Sequence, residues 1–251
     1  MKILITAGNS HAPIDRVRVI TNVFTGRIGA QLARTAWARG HNMTVLTSQP
    51  YTLSDLPDPS VDSDRRANVL AFQTFDDLAG RFQHEVKSGN YDCVIHAATV
   101  SDYLCAGVYA PDAGTYFNAR TRNWERRDGA PAMDERKGGK IGSNEPELWL
   151  RLVRAPKLIE RVRSSWGFQG LLVAFVLEVG LGDNALLESA EASRQKTGAD
   201  LVVTNTLEGS PHFSYMGPIE SRYERIDRRE LADRVILAIE YLQRQRMMQN
   251  G

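Results

Sequence analysis

The sequence predicts an α/β fold: a doubly wound, mostly parallel sheet covered by helices, with a small antiparallel extension. Three observations support this. Six short apolar runs lack in–out alternation, the pattern of strands buried on both faces. Helical periodicity fills the spaces between them. A glycine pair, Gly26 and Gly29, opens the first helix, where free backbone N–H groups and a positive dipole end suit phosphate.

The elements follow in order. Ile3–Thr6 reads as a buried strand, followed by a long polar loop and a helix over Arg27–Arg39 with Ile28, Leu32 and Ala36 on one stripe. Met43–Thr47 and Val69–Phe72 are the next strands. The helix Phe75–Val86 follows, with Leu78 and Phe82 facing inward, and then the strand Cys93–Ala97. Asp102–Asn144 is rich in Gly, Arg and Asp and has no period; it is expected to be a long, mobile loop, centred on about 104–144. Glu147–Arg154 alternates, placing Leu148, Leu150 and Leu152 on one face of a strand. Leu171–Leu177 and Leu201–Thr204 complete the parallel set, separated by the turn Gly182-Asp183-Asn184 and a helix over Ala185–Thr197. HFSYMG and SRYERID suit a short antiparallel pair. A last helix starts near Arg229 with Leu231, Val235, Ile239 and Leu242 as its docking stripe, and Arg246–Gly251 should fray.

A chain of 251 residues can bury one substantial core, so a single domain over 1–251 is expected. A net charge of +1 gives no reason to expect a nucleic-acid or membrane partner. Cys93 and Cys105 lack metal spacing and read as reduced thiols of a cytoplasmic protein. The apolar run Leu171–Val176 is too short to span a bilayer. The five histidines lack metal spacing, the four tryptophans suggest no stacking ladder, and Arg120–Arg127 reads as a solvated loop.

Five local patterns lie in one order along nearly the whole chain: ITAG…PID.VRVITN…TGRIG (Ile5–Gly29), HAATVSDY (His96–Tyr103), KIGS (Lys140–Ser143) with APKLI (Ala155–Ile159), LLVAFVLEV (Leu171–Val179) and ADLVVTN (Ala199–Asn205). Together they resemble the phosphopantothenoylcysteine synthetase family, the ligase of coenzyme A biosynthesis, whose domain is Rossmann-like. The SDY and PKL wording resembles the stand-alone branch, and no fused decarboxylase domain is expected in this length.

The resemblance implies a two-step reaction. ATP or CTP, with Mg2+, activates the carboxylate of 4′-phosphopantothenate as an acyl-nucleotide with release of pyrophosphate, and the amine of cysteine then forms the amide. It implies catalytic roles for Asn22, beside the acyl-nucleotide, and Lys140, on a loop that closes over the nucleotide. It assigns nucleotide contacts to Gly8, Gly26, Gly29, the backbone of Ala97 and Ala98, Asp102, Pro156, Phe175 and Asn205, and leaves the metal ligands unknown. It also implies a homodimer, with Glu147–Arg154 and the C-terminal strand pair as interface strands.

Each residue has an ordinary structural reading as well. Asn22 and Asn205 suit turns, Asp102 a cap, Phe175 a core, and Lys140 a solvated loop beside Lys137. The chain departs from the family pattern where Gly8 is followed by Asn9, Ser10, His11 and Ala12, where Phe24 and Thr25 replace a serine pair, and where Ser193 and Thr197 replace two lysines, with Arg194 and Lys196 nearby. These departures keep open a nucleotide-binding relative acting as a sensor or assembly subunit. A nicotinamide-dependent reductase is disfavoured: the glycines do not directly follow the first strand, and the second strand ends in Thr47-Ser48-Gln49 with no acid for a ribose.

Overall fold

The computed structural model describes residues 1–56 and 66–249. The chain forms two compact units. The first comprises Met1–Ser10, Val23–Val100 and Lys157–Gly251, and the second His11–Asn22 and Ser101–Pro156. The strands in chain order are β1 (Lys2–Ala7), β2 (His11–Pro13), β3 (Val19–Thr21), β4 (Asn42–Thr47), β5 (Ala67–Ala71), β6 (Cys93–His96), β7 (Tyr103–Pro111), β8 (Thr115–Asn118), β9 (Asn123–Arg126), β10 (Met133–Glu135), β11 (Trp149–Arg154), β12 (Leu171–Glu178), β13 (Leu201–Thr206), β14 (Phe213–Ile219) and β15 (Arg222–Asp227). The helices are α1 (Arg27–Ala38), α2 (Phe75–Ser88), α3 (Leu158–Ser164), α4 (Asp183–Thr197) and α5 (Leu231–Gln249).

The first unit is built on an eight-stranded sheet in the order β15-β14-β13-β12-β6-β1-β4-β5. The six strands from β13 to β5 are parallel, while β14 and β15 form an antiparallel extension. Numbered by sequence, the parallel strands run 3-2-1-4-5-6, the Rossmann-like doubly wound order, which reverses between β1 and β6. All six apolar runs read from the sequence are strands here.

Alternate residues face opposite helical layers. Ile3, Ile5, Cys93, Ile95, Leu171, Val173, Leu201 and Val203 share one core with Ala30, Leu32, Ala33 and Ala36 of α1 and Val235, Ile236 and Ile239 of α5. Phe82 of α2 is fully buried against the ring of His96 and the edge of Trp166. Burial of each large apolar side chain contributes about 1.5–3 kcal/mol, which is why these stripes fix the layers. Helix α2 starts at a capping box in which Thr74 and Asp77 exchange hydrogen bonds with each other's backbone N–H.

Helix α4 begins two residues before the expected Ala185, because Gly182 takes the N-cap and Asp183 favours the positive helix end. Residues Arg246–Gln249, expected to fray, continue α5; Leu, Arg, Gln and Met are strong helix formers, and Arg246 suits the C-terminal dipole. Asn250 and Gly251 lie outside the described residues.

The second unit corrects the expectation of a periodless loop after Asp102. Strands β7, β8, β9 and β10 lie in that segment, with β7 paired between β10 and β11 and β8 paired with β9. The polar stretch after Ala7 likewise contains a hairpin, β2 with β3. In β11 the expected apolar row breaks: β7 carries an extra residue where the pairing passes from Arg151 to Leu152. Leu150 and Val153 are half-buried, and Leu152 is exposed. Trp124 and Trp149 pack edge to face with centroids 4.5 Å apart, and Phe117 touches both.

Candidate functional site

In the first unit the carboxyl ends of β1 and β6, where the strand order reverses, form a cradle of backbone. Open α/β sheets bind ligands at this position. Ala97 N–H donates to the Thr6 carbonyl (3.1 Å), Thr99 N–H to the Gly8 carbonyl (2.8 Å) and Ser10 N–H to the Thr99 carbonyl (3.2 Å). Gly8 and Gly26 both have positive φ, +86° and +73°. Gly26 is the N-cap of α1, which has no side-chain cap and no acid in its first turn. A β-carbon on Gly26 would lie 2.5 Å from Gly8 N, and one on Gly29 would strike Ala7. These glycines therefore let the start of α1 lie directly on the end of β1. Gly8, Gly26, Gly29, Ala97 and Ala98 are thus brought together.

Asn9 replaces a glycine of the family pattern and is buried in that cradle. Its N–H donates to Ser48 Oγ (2.9 Å), and the Ser48 hydroxyl donates to its side-chain oxygen (3.1 Å). Ser48 follows β4, at the position where a ribose-binding acid would stand in a dinucleotide site. Its hydroxyl is engaged with the loop instead.

His96, not assigned from the sequence, supports the same cradle. Its Nδ1 lies 2.8 Å from Thr6 Oγ1, and Thr6 Oγ1 accepts the N–H of Ala98 (3.3 Å). Its ring stacks on Phe82 with centroids 5.1 Å apart. Burial, and then the positive charge of Lys157, pushes His96 down to about 4. The folded protein therefore holds a neutral imidazole, while the unfolded chain takes up a proton below about 6.5. Folding stability should then fall as pH drops from about 6.5 to about 4, by on the order of 3 kcal/mol from this group. Urea unfolding of the wild type and a His96→Gln variant across that range measures this. The variant should show the shallower loss, and equal pH dependence would refute the assignment.

Phe175 and Asn205 lie toward the carboxyl ends of β12 and β13. Phe175 pairs with Val203 and packs on the core beneath α1 and α5. Asn205 Nδ2 donates to Ser214 Oγ at 3.3 Å. Arg194 and Lys196, the cations near Ser193 and Thr197, form ion pairs with Glu191 and Glu160, each at 2.7 Å. Thr197 is buried and donates to the Ser193 carbonyl. Glu178, at the end of β12, accepts from the Ser189 hydroxyl at 2.6 Å.

The second unit holds Asn22, Asp102, Lys140 and Pro156. Asn22 is half-buried directly after β3. The Asp102 carbonyl accepts the N–H of Ala155 (2.8 Å), which places Asp102 beside the residue preceding Pro156. Lys140 is exposed, but the backbone around it is held. Ile141 N–H donates to Asp15 Oδ2 (3.1 Å), Arg18 Nη2 donates to the Ile141 carbonyl (2.9 Å), and Arg16 N–H donates to the Gly139 carbonyl (3.0 Å). The Arg18 guanidinium, then the N–H groups of Val17 and Ile141, hold the Asp15 carboxyl far below the usual carboxylate range. Asp15 and Arg18 were visible in the sequence only as part of a motif; their partner lies 126 and 123 positions away.

Chemically, the first unit offers the uncapped start of α1 to an anion, and the second carries an amide, Asn22, and a lysine, Lys140.

Residues 1–111 match the family described as DNA/pantothenate metabolism flavoprotein C-terminal domain. The chain is 30% identical over 240 residues to the coenzyme A biosynthesis bifunctional protein CoaBC of Thermococcus kodakarensis, covering 93% of this chain and 49% of that protein. It is 27% identical over 207 residues to the protein of the same name from Escherichia coli, covering 82% of this chain and 41% of the other. The chain thus spans about half the length of the curated relatives it matches. The crystal structure of the DNA/pantothenate metabolism flavoprotein from Streptococcus pneumoniae shares the fold, with a TM-score of 0.74 at 24% identity, covering 96% of this chain and 99% of that one. A Cab2 variant in complex with phosphopantothenate-cysteine shares it with a TM-score of 0.65 at 17% identity, covering 99% of this chain and 88% of that one.

Proposed function

The chain belongs to the phosphopantothenoylcysteine synthetase family, and from that premise we propose that it is a phosphopantothenate–cysteine ligase. The observation that carries this reading is the cradle at the strand-order reversal, where Gly8, Gly26, Gly29, Ala97 and Ala98 converge. That backbone suits a nucleotide phosphate, and Asp102, Pro156, Phe175 and Asn205 complete the proposed nucleotide contacts.

In the first step a carboxylate oxygen of 4′-phosphopantothenate attacks the α-phosphorus of ATP or CTP, and the bond to pyrophosphate breaks. In the second, the amine of cysteine attacks the acyl carbon; the nucleoside monophosphate leaves and the amine loses a proton. Both steps concentrate negative charge, first on the α-phosphate and then on the tetrahedral oxygen. Fixed donors aimed at those charges lower the barrier. Asn22 donates to the developing oxyanion without changing its own charge. Lys140 neutralises α-phosphate charge.

Among the described residues no group of three His, Cys, Asp or Glu side chains is arranged to hold a metal ion. We infer that Mg2+ would arrive on the nucleotide's phosphates, as it commonly does. No helix among the described residues is long and apolar enough to cross a membrane. We place the protein in the cytoplasm, as a homodimer using β11 and the β14–β15 pair at its interface, with small-molecule substrates and neither nucleic acid nor membrane as partner.

The test is direct. Purified protein is incubated with phosphopantothenate, cysteine, Mg2+ and either ATP or CTP, and pyrophosphate and amide are measured. Both products should form in equal amounts. Nucleotide binding without turnover would instead favour a sensor or assembly subunit, a reading to which Asn9 and Phe24 lend support. A nicotinamide-dependent reductase is disfavoured because Ser48, bonded to Asn9, stands where an acid would bind ribose hydroxyls.

A further inference from the structure

We propose that Asp15 and Arg18 are positioning residues that pin the backbone on both sides of Lys140, so that its ammonium group is presented from a fixed rather than a free segment. This rests on the ligase reading for the role of Lys140, but the pinning is a property of the second unit alone.

Asp15 is shielded, its side chain only 1% exposed, and every polar contact on it is accounted for locally. Oδ1 accepts the N–H groups of Val17 (2.9 Å) and Arg18 (2.8 Å), closing the turn between β2 and β3. Oδ2 accepts Arg18 Nε (3.1 Å) and Nη2 (2.5 Å), and also the N–H of Ile141 (3.1 Å). Arg18 Nη2 reaches on to the Ile141 carbonyl at 2.9 Å. Both backbone groups of Ile141 are therefore bound by one ion pair. On the other side of Lys140, the Gly139 carbonyl accepts the N–H of Arg16 at 3.0 Å. Three backbone groups within residues 139–141 are thus fixed by residues 15–18, while the Lys140 side chain stays exposed.

A charge-assisted pair is stronger than a neutral hydrogen bond, and a bidentate arginine adds direction. Catalytic groups act only when held near the productive geometry, so a lysine on an unpinned glycine-rich segment would spend entropy on every closure. Residues Gly138, Gly139 and Gly142 surround Lys140 and supply no stiffness of their own. The stiffness comes from Asp15 and Arg18.

The experiment compares the wild type with Asp15→Asn, Lys140→Ala and the double variant. Brief trypsin digestion reports cleavage after Lys140, independently of activity. The initial rate with ATP or CTP reports nucleotide KM and kcat. Asp15→Asn should raise cleavage after Lys140 at least about tenfold and lower kcat/KM about tenfold or more. Adding Asp15→Asn to Lys140→Ala should then lower kcat/KM little further, because the two act as one unit. Should Asp15→Asn fail to fold, Arg18→Gln is expected to act in the same direction, since it keeps the turn contacts on Oδ1 and removes the guanidinium that holds both Asp15 Oδ2 and the Ile141 carbonyl. Unchanged protease sensitivity, or rate losses that multiply in the double variant, would overturn the proposal while leaving the ligase reading intact. A wild type with normal protection after Lys140 but no nucleotide binding or turnover would sink the ligase reading, and with it the role given to the pinned lysine.

Discussion

Replacing Asn22 by alanine is expected to lower kcat for amide formation by about 10²–10³-fold, the typical loss for one donor to a developing oxyanion. Asn22 is half-buried where β3 ends, at the open end of the β2–β3 hairpin, away from the turn that Asp15 closes. It carries no charge of its own, and the fold should survive its truncation. The discriminating quantity is the split between kcat and KM. A donor used in the transition state lowers kcat and kcat/KM together, whereas a ground-state contact raises KM alone. Circular dichroism and the melting temperature establish that the variant is folded. A wild-type kcat in a folded variant would remove Asn22 from the chemistry.

The second large effect is expected at Gly26. Its φ of +73° lies in the left-handed region, which costs an L-residue roughly 1–2 kcal/mol. The added β-carbon of Gly26→Ala would also lie 2.5 Å from Gly8 N and 2.6 Å from Gly8 Cα, both backbone atoms that cannot turn aside. Either α1 withdraws or the Gly8 turn moves, and both spoil the phosphate cradle. Gly26→Ala should therefore lower the denaturant midpoint by an amount equivalent to about 2 kcal/mol or more and abolish saturable nucleotide binding. Gly80→Ala is the internal control. Gly80 lies within α2 with nothing within 4 Å of an added β-carbon, so the change should stabilise by roughly 0.5–1 kcal/mol. A Gly26→Ala protein as stable as the wild type, with unaltered nucleotide affinity, would show that the close approach is not needed.

The first unit was legible in the sequence because its signals are local. Runs such as ILIT and LLVAFVL, short and apolar on both faces, suit covered parallel strands, and the stripe Leu231, Val235, Ile239 fixes the docking face of α5. The second unit was not legible. Its strands β2, β3 and β10 have three residues each, and β7 is interrupted opposite Arg151 and Leu152, so no period survives. In the cradle, Gly26 and Gly29 could be found by type and spacing, and Gly8 through the family resemblance. His96 was hidden because its meaning depends on Thr6 and Phe82, and Asp15 because its partner Ile141 leaves no trace in local spacing.

The division of the second unit between two stretches of chain has a consequence during synthesis. Arg18 leaves the ribosome 123 residues before Ile141, its hydrogen-bond partner. At about 5–20 residues per second, the β2–β3 hairpin waits roughly 6–25 s for the segment that completes it. Three-residue strands gain too little to stand alone for that time. Slow codons or a stalled ribosome between residues 100 and 141 would prolong that wait. The nascent chain should then be open to proteases and chaperones at Val17 and Val19, which are exposed even in the finished fold.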